Sequence, residues 1–298
     1  PSGLGKMQET QAAISYTDYS QLFGDASEGL YYAFLAGALP LGDAGTLGTT
    51  LQLQGQGTIL VTTDSPEPIR EENLGTNWAW TVSYADELAK GLLAGISGKV
   101  ISMKLGPEGG RAYAVDLGVQ YDLPSVPIPI KVGAAVQNWG TRVQFKDENQ
   151  SDPLPRMFRT GTAVTLYERD HHQVRLIGDL TAFIDKLKED DDEGIAAYLA
   201  EHPDVTRDQL MADRGVGIHA FAWGNMQKSI GAEYWLGKIL ALRVGYKDDP
   251  GVNFPQFTDH LTYGLGVRLL NYQFDYALVP GGGPDNKRLN VFALMLRF

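Results

Sequence analysis

The residues best suited to chemistry lie in three short stretches. Glu189, Asp190, Asp191, Asp192 and Glu193 form an unbroken acidic run. Hard oxygen ligands of this kind bind calcium. The run lacks the spaced D-x-D-x-D-G pattern that wraps one ion, so it reads as a solvated charged loop. Asp248 and Asp249 are paired in "YKDDPG", where Pro-Gly marks a turn first. His171 and His172 are adjacent. Neighbouring side chains on an extended chain point to opposite faces, which makes a poor chelate. No G-x-S-x-G nucleophile motif is present. "GPEGG" (106–110) and "PGGGP" (280–284) lack the G-x-x-x-x-G-K-S/T pattern and lead into no helix, so they read as loop tips, not phosphate cradles. The expectation is a chain that is not an enzyme, with no metal site and no cofactor.

The absence of cysteine removes disulfides, thiolate metal sites and cysteine nucleophiles. A net charge of −11 argues against nucleic acid as a partner, because a duplex requires a basic face. No run of about eighteen apolar residues is long enough for a membrane-crossing helix. The opening "PSGLGKMQ" has neither an initiator methionine nor a basic leader, and is read as the start of a mature or trimmed chain.

The elements that would position any site show a period of two from end to end. In "AVDLGVQY", Val115, Leu117, Val119 and Tyr121 alternate with Asp116, Gly118 and Gln120. In "NYQFDYAL", Tyr272, Phe274, Tyr276 and Leu278 alternate with Gln273, Asp275 and Ala277. "LTYGLGVRLL" and "NWAWTVSY" repeat the pattern. A soluble antiparallel sheet with one wet face produces this alternation. So does a membrane barrel with an apolar outer wall and a polar lumen.

Length and loops separate the two. Strands are predicted near 11–19, 29–40, 46–57, 77–86, 89–102, 111–121, 129–138, 156–167, 173–185, 228–236, 239–247, 260–269, 271–279 and 289–298. Many have the nine to eleven residues of a tilted membrane strand, against about five or six in ordinary sheets. The connections alternate: short at 41–45, 87–88, 122–128, 168–172, 237–238 and 270, longer at 20–28, 58–76, 103–110, 139–155, 186–227, 248–259 and 280–288. Membrane barrels have this asymmetry of turns and outer loops. The expected fold is all-β: a single transmembrane antiparallel β-barrel of about fourteen strands over 1–298. Lumen-facing candidates are Arg111, Asp116, Arg268 and Asp275. The longest loop, 186–227, loses the period of two and reads as an insertion. Thr206 to Gln209 fits a capping box, which predicts a helix over about 207–213, and "EGIAAYLAEH" suggests another.

The chain ends in "LNVFALMLRF", with Phe292, Leu294, Leu296 and Phe298 on one face and Val291, Ala293, Met295 and Arg297 on the other. The first set is expected to face lipid in the strand that closes the barrel, since no sheet edge is tolerated in hydrocarbon. A terminal aromatic after alternating apolar residues resembles the assembly signal of bacterial outer-membrane barrels, so these four residues are the expected membrane assembly signal.

"PSGLG" at the start resembles the tail of the "NPAGL" motif of barrels related to long-chain fatty-acid transporters. "LPRMFRTG" (154–161), "GAEYWLGKILALRVGYK" (231–247) and the ending from "LTYGLGVRLL" onward are similar to the PorV/PorQ family. These are outer-membrane barrels tied to type IX secretion. The resemblance implies a fourteen-stranded barrel of the fatty-acid-transporter type in a Gram-negative outer membrane. It also implies partners: membrane lipid, other envelope or secretion-complex proteins, and secreted cargo gripped by outer loops. It supplies no catalytic or ligand-binding residues. Two functions follow, an accessory subunit of a secretion or envelope complex and a FadL-like transporter of small hydrophobic compounds. A structural subunit of a surface assembly is a third. The transporter requires a lumen path or a lateral gap in the wall.

Overall fold

The structure is a computed structural model and describes residues 1–23, 29–61, 70–124, 126–145, 151–185, 192–215, 217–252, 256–281 and 287–298. In chain order its strands begin with β1 (Gln11–Asp18), β2 (Leu30–Pro40), β3 (Thr46–Gln56), β4 (Thr58–Val61), β5 (Arg70–Asn73) and β6 (Thr76–Ala89). Then come β7 (Leu92–Leu105), β8 (Glu108–Leu123), β9 (Ile130–Gly140), β10 (Val143–Gln144), β11 (Ser151–Asp152) and β12 (Arg156–Arg169). The last are β13 (His172–Asp185), β14 (Gln227–Leu236), β15 (Leu240–Asp248), β16 (Leu261–Leu269), β17 (Tyr272–Pro280) and β18 (Arg288–Arg297). The α-helices are α1 (Ser20–Phe23), α2 (Asp192–Glu201) and α3 (Arg207–Arg214).

Fourteen of these strands close into an antiparallel barrel. The seam joins β1 to β18, from Gln11 opposite Arg297 to Thr17 opposite Val291. Every backbone amide along a closed wall has a neighbour, which is what makes the sheet viable in hydrocarbon. The short strands β4 and β5 form a separate hairpin, and β10 and β11 join the end of β8.

The burial pattern is inverted relative to a soluble protein. Trp80, Leu117, Phe274 and Phe292 are 50%, 56%, 54% and 56% exposed, whereas Asp116, Glu233 and Gln273 are 4%, 7% and 7% exposed. Apolar rings outside and carboxylates inside describe a wall facing lipid and a lumen facing water. The outward polar groups are satisfied within the wall. Thr160 and Thr162 donate to the carbonyls of Gly133 and Lys131, both at 3.1 Å, and Trp80 Nε1 donates to Thr49 Oγ1 at 3.0 Å. This is a membrane-spanning barrel.

The expected strands lie within a few residues of their observed ends, with two differences. The expected loop 103–110 is a tight hairpin, because Gly106 turns the chain at φ 60° and β7 and β8 run on to Leu105 and from Glu108. The expected short turn at 87–88 is strand, and the reversal falls at Lys90–Gly91. The long loop holds both expected helices. Thr206 Oγ1 accepts from the Gln209 amide at 3.3 Å, the Thr206 amide donates to Gln209 Oε1 at 3.0 Å, and Gly215 ends α3 in the left-handed region.

Candidate functional site

The first six residues lie inside the barrel. Residues 2–6 form a 3-10 turn against β3, β6, β7 and β8. The wall admits them because small residues face inward there. A side chain at Gly95 would stand 2.7 Å from the Ser2 nitrogen, and one at Gly118 would stand 3.0 Å from Pro1. Lys6 pairs with Asp122. Beyond this plug, Lys99 pairs with Asp116 at 2.7 Å, and the Asn138 amide donates to the same carboxylate at 2.8 Å. Asn138 reaches it from a bulge in β9, with φ 61°. On the long-loop side Val143 and Leu154 pack against Ala112 and Ala114, forming an apolar cap.

The opposite half of the lumen is braced by charge. Arg175 holds Glu233 Oε1 at 3.0 and 2.5 Å, and Arg243 holds Glu233 Oε2 at 2.7 Å. Arg243 also reaches Asp275 at 2.6 Å. A buried carboxylate with a cation on each oxygen costs little of the penalty that an unpaired one would carry. Trp235 lies on the same inner face, with the Arg243 and Arg268 guanidiniums 5.6 and 4.3 Å from its ring centre.

Between these halves the wall becomes thin. Gly133 on β9 and Gly161 on β12 are directly paired and face inward. Outward, the neighbouring positions are Ala134, Thr160, Thr162 and Gly178. A lumen cavity of about 370 Å³ lies on the inner side, bordered by Pro1, Ser2, Gln137, Arg159 and Ile177. An apolar groove of about 640 Å³ lies on the outer side, bordered by Leu180, Ile230, Tyr246 and Trp223. Val132, Thr160, Gly161, Thr162, Gly178 and Asp179 border both. The two spaces stand back to back across a wall stripped of large side chains. Strand pairing continues unbroken through it.

The residues singled out from sequence divide. Asp116, Arg268 and Asp275 face the lumen. Arg111 does not, since it pairs with Ser102 in the register of the lipid-facing Tyr113 and Val115 and stands exposed at the far end of β8. Phe292, Leu294 and Leu296 are in the outward register of β18 opposite Tyr16, Ile14 and Ala12. Phe298 follows the strand, 72% exposed, its amide bonded to the Thr10 carbonyl at 2.9 Å. His172 bonds Tyr234 Oη at 2.7 Å, while His171 borders a lumen cavity. Asp248 pairs with Lys228 at 2.8 Å. Asp249 accepts from Gln227 at 2.6 Å and from the Gly251 amide at 3.1 Å, in the expected turn. Glu189, Asp190 and Asp191 lie outside the described residues, and Asp192 and Glu193 begin α2. The glycine window and the Arg175–Glu233–Arg243 brace are absent from the sequence reading. Its available signal was charge and a tryptophan on the otherwise small, polar face of "GAEYWLGK" and "LALRVGYK".

No family model and no curated protein matches the sequence. Solved structures do. The Ralstonia pickettii toluene transporter TbuX superposes with a TM-score of 0.55 at 13% identity, over 100% of this chain and 92% of its own. The Pseudomonas putida toluene transporter TodX gives 0.50 at 12%, over 99% and 90%. A Pseudomonas aeruginosa FadL homologue gives 0.47 at 11%, over 100% and 92%. The chain is an outer-membrane barrel with the fold of the two toluene transporters.

Proposed function

We propose that this barrel moves small hydrophobic compounds across the outer membrane, with the glycine window of β9, β12 and β13 as the place where they pass between groove and lumen. The observation that carries the reading is the pair of spaces on opposite sides of the same stripped wall. An apolar solute in the groove is shielded by Leu180, Ile230 and Trp223, and only glycine, threonine, Val132 and Asp179 border both it and the lumen cavity. The fold shared with two toluene transporters supports the solute class. The barrel is reconstituted in liposomes and challenged with toluene or a long-chain fatty acid. Uptake above that of empty liposomes is expected, and uptake equal to theirs removes the proposal.

A second reading, an accessory barrel that binds envelope or secreted proteins, is favoured by the outer face. Ile218 and Phe257 are 78% and 68% exposed there, and large apolar groups left bare on an outer loop belong to contact surfaces. Isolation from native membranes in mild detergent tests it. Recovery of the barrel alone counts against that partner role.

A further inference from the structure

Near the short turns of β12–β13 and β14–β15 lies a second lumen cavity, of about 520 Å³, bordered by Asp170, His171 and Lys238 at its rim. Four guanidiniums face this part of the lumen, Arg175, Arg243, Arg268 and Arg297; the carboxylates in contact with them are Glu233 and Asp275, while Glu168 and Asp170 border the cavity without an ion pair to Arg268 or Arg297. All four oxygens of Glu233 and Asp275 are taken. Arg175 and Arg243 hold Glu233, Arg243 holds Asp275 Oδ1, and Gln273 Nε2 donates to Asp275 Oδ2 at 2.7 Å. Arg268 and Arg297 therefore have no ion-pair partner among the described residues. Both turn to one neutral atom, Gln273 Oε1. Arg268 donates to it at 3.1 and 2.8 Å, and Arg297 reaches it at 3.5 Å. Arg297 Nε is buried and makes no hydrogen bond.

Two like charges beside one neutral acceptor repel each other, and a partly buried cation without a counter-charge is unfavourable. The guanidinium is planar, with donors spaced to match a carboxylate. We propose that Arg268 and Arg297 form a binding site for one small carboxylate, held against the edge of Gln273 in this cavity. The site is separate from the glycine window, so either can fail without the other.

The test is calorimetric titration of the detergent-solubilised barrel at fixed ionic strength with benzoate, benzyl alcohol and inorganic phosphate. Saturable binding of one benzoate per barrel is expected, with benzyl alcohol and phosphate at least tenfold weaker. Arg268→Gln and Arg297→Gln should each weaken benzoate at least tenfold. Gln273→Glu supplies the missing carboxylate from within. It gives up the donor to Asp275 Oδ2 and places a second carboxylate beside it, offset by the two guanidiniums, so it should abolish benzoate binding with the barrel still folded by circular dichroism, which separates occupation of the site from loss of fold. Absence of benzoate binding, equal affinity for benzyl alcohol or phosphate, or unchanged benzoate affinity in Gln273→Glu would overturn the proposal.

Discussion

Replacing Glu233 by glutamine tests whether the charge brace supports the barrel. Glu233 is 7% exposed and accepts three hydrogen bonds from two arginines, at 3.0, 2.5 and 2.7 Å. Breaking a fully buried pair by removing one partner costs about 3–5 kcal/mol, because the other charge is left uncompensated. Arg175 and Arg243 keep 37% and 30% of their side-chain surface, so lumen water screens part of that loss, and Arg243 retains Asp275. The cost worked from this geometry is about 2 kcal/mol. Urea unfolding of the barrel folded into vesicles measures it by linear extrapolation. Arg175→Gln in the Glu233→Gln background removes the orphaned cation and should recover part of the loss, giving a coupling of about 1 kcal/mol or more in the double-mutant cycle. A Glu233→Gln cost below about 0.5 kcal/mol, or strict additivity, would refute the assignment of a supporting brace.

Three other outcomes follow from residues outside the wall or at its thinnest part. Thr206→Ala removes the cap of α3 and should cost that helix about 1 kcal/mol, seen as faster amide exchange over 207–214 with no change in the barrel strands. Burial pushes the Asp249 carboxyl up, but hydrogen bonds from Gln227, Lys247 and the Gly251 amide outweigh it and hold it below the ordinary aspartate range. A folded value below the unfolded one stabilises at pH above about 4 and is lost as pH falls through the folded value. Asp249→Asn should therefore loosen the 249–251 turn at pH 7, and the difference from the parent should vanish on acidification; a difference that grows toward acid contradicts this. Gly133→Leu should fill the inner cavity without strain, since a Cβ there meets only Val119 O at 3.4 Å, and slow uptake while leaving the urea midpoint near its original value.

Much of the barrel was legible because its wall obeys one rule. Side chains on each strand alternate between lipid and lumen except at bulges, so "NYQFDYAL" fixes both faces and the parity of its pairing with β18. The loops obey no such rule. β4 and β5, and the packing of Val143 and Leu154 against Ala112 and Ala114, depend on contacts between distant segments that leave no local period. Arg111 shows how a single step of parity moves a charge from lumen to outer rim. The fold shared with the two toluene transporters agrees with the resemblance of "PSGLG" to transporter barrels. The candidate site escaped notice for a physical reason. Gly133, Gly161 and Gly178 are each unremarkable in sequence, and become a window only when β9, β12 and β13 are laid side by side.

The window itself is tested most directly by Gly178→Leu. A Cβ at Gly178 would meet only Ser229 O, at 3.7 Å, so a leucine can enter the outer groove without disturbing strand pairing. An apolar side chain on the lipid face carries no penalty of its own. Proteoliposomes holding equal amounts of folded parent, Gly178→Leu and Gly178→Ser are compared for the initial rate of toluene uptake. The window predicts a rate for Gly178→Leu at least tenfold below the parent's, with Gly178→Ser close to the parent. Equal rates for all three would contradict passage through this wall.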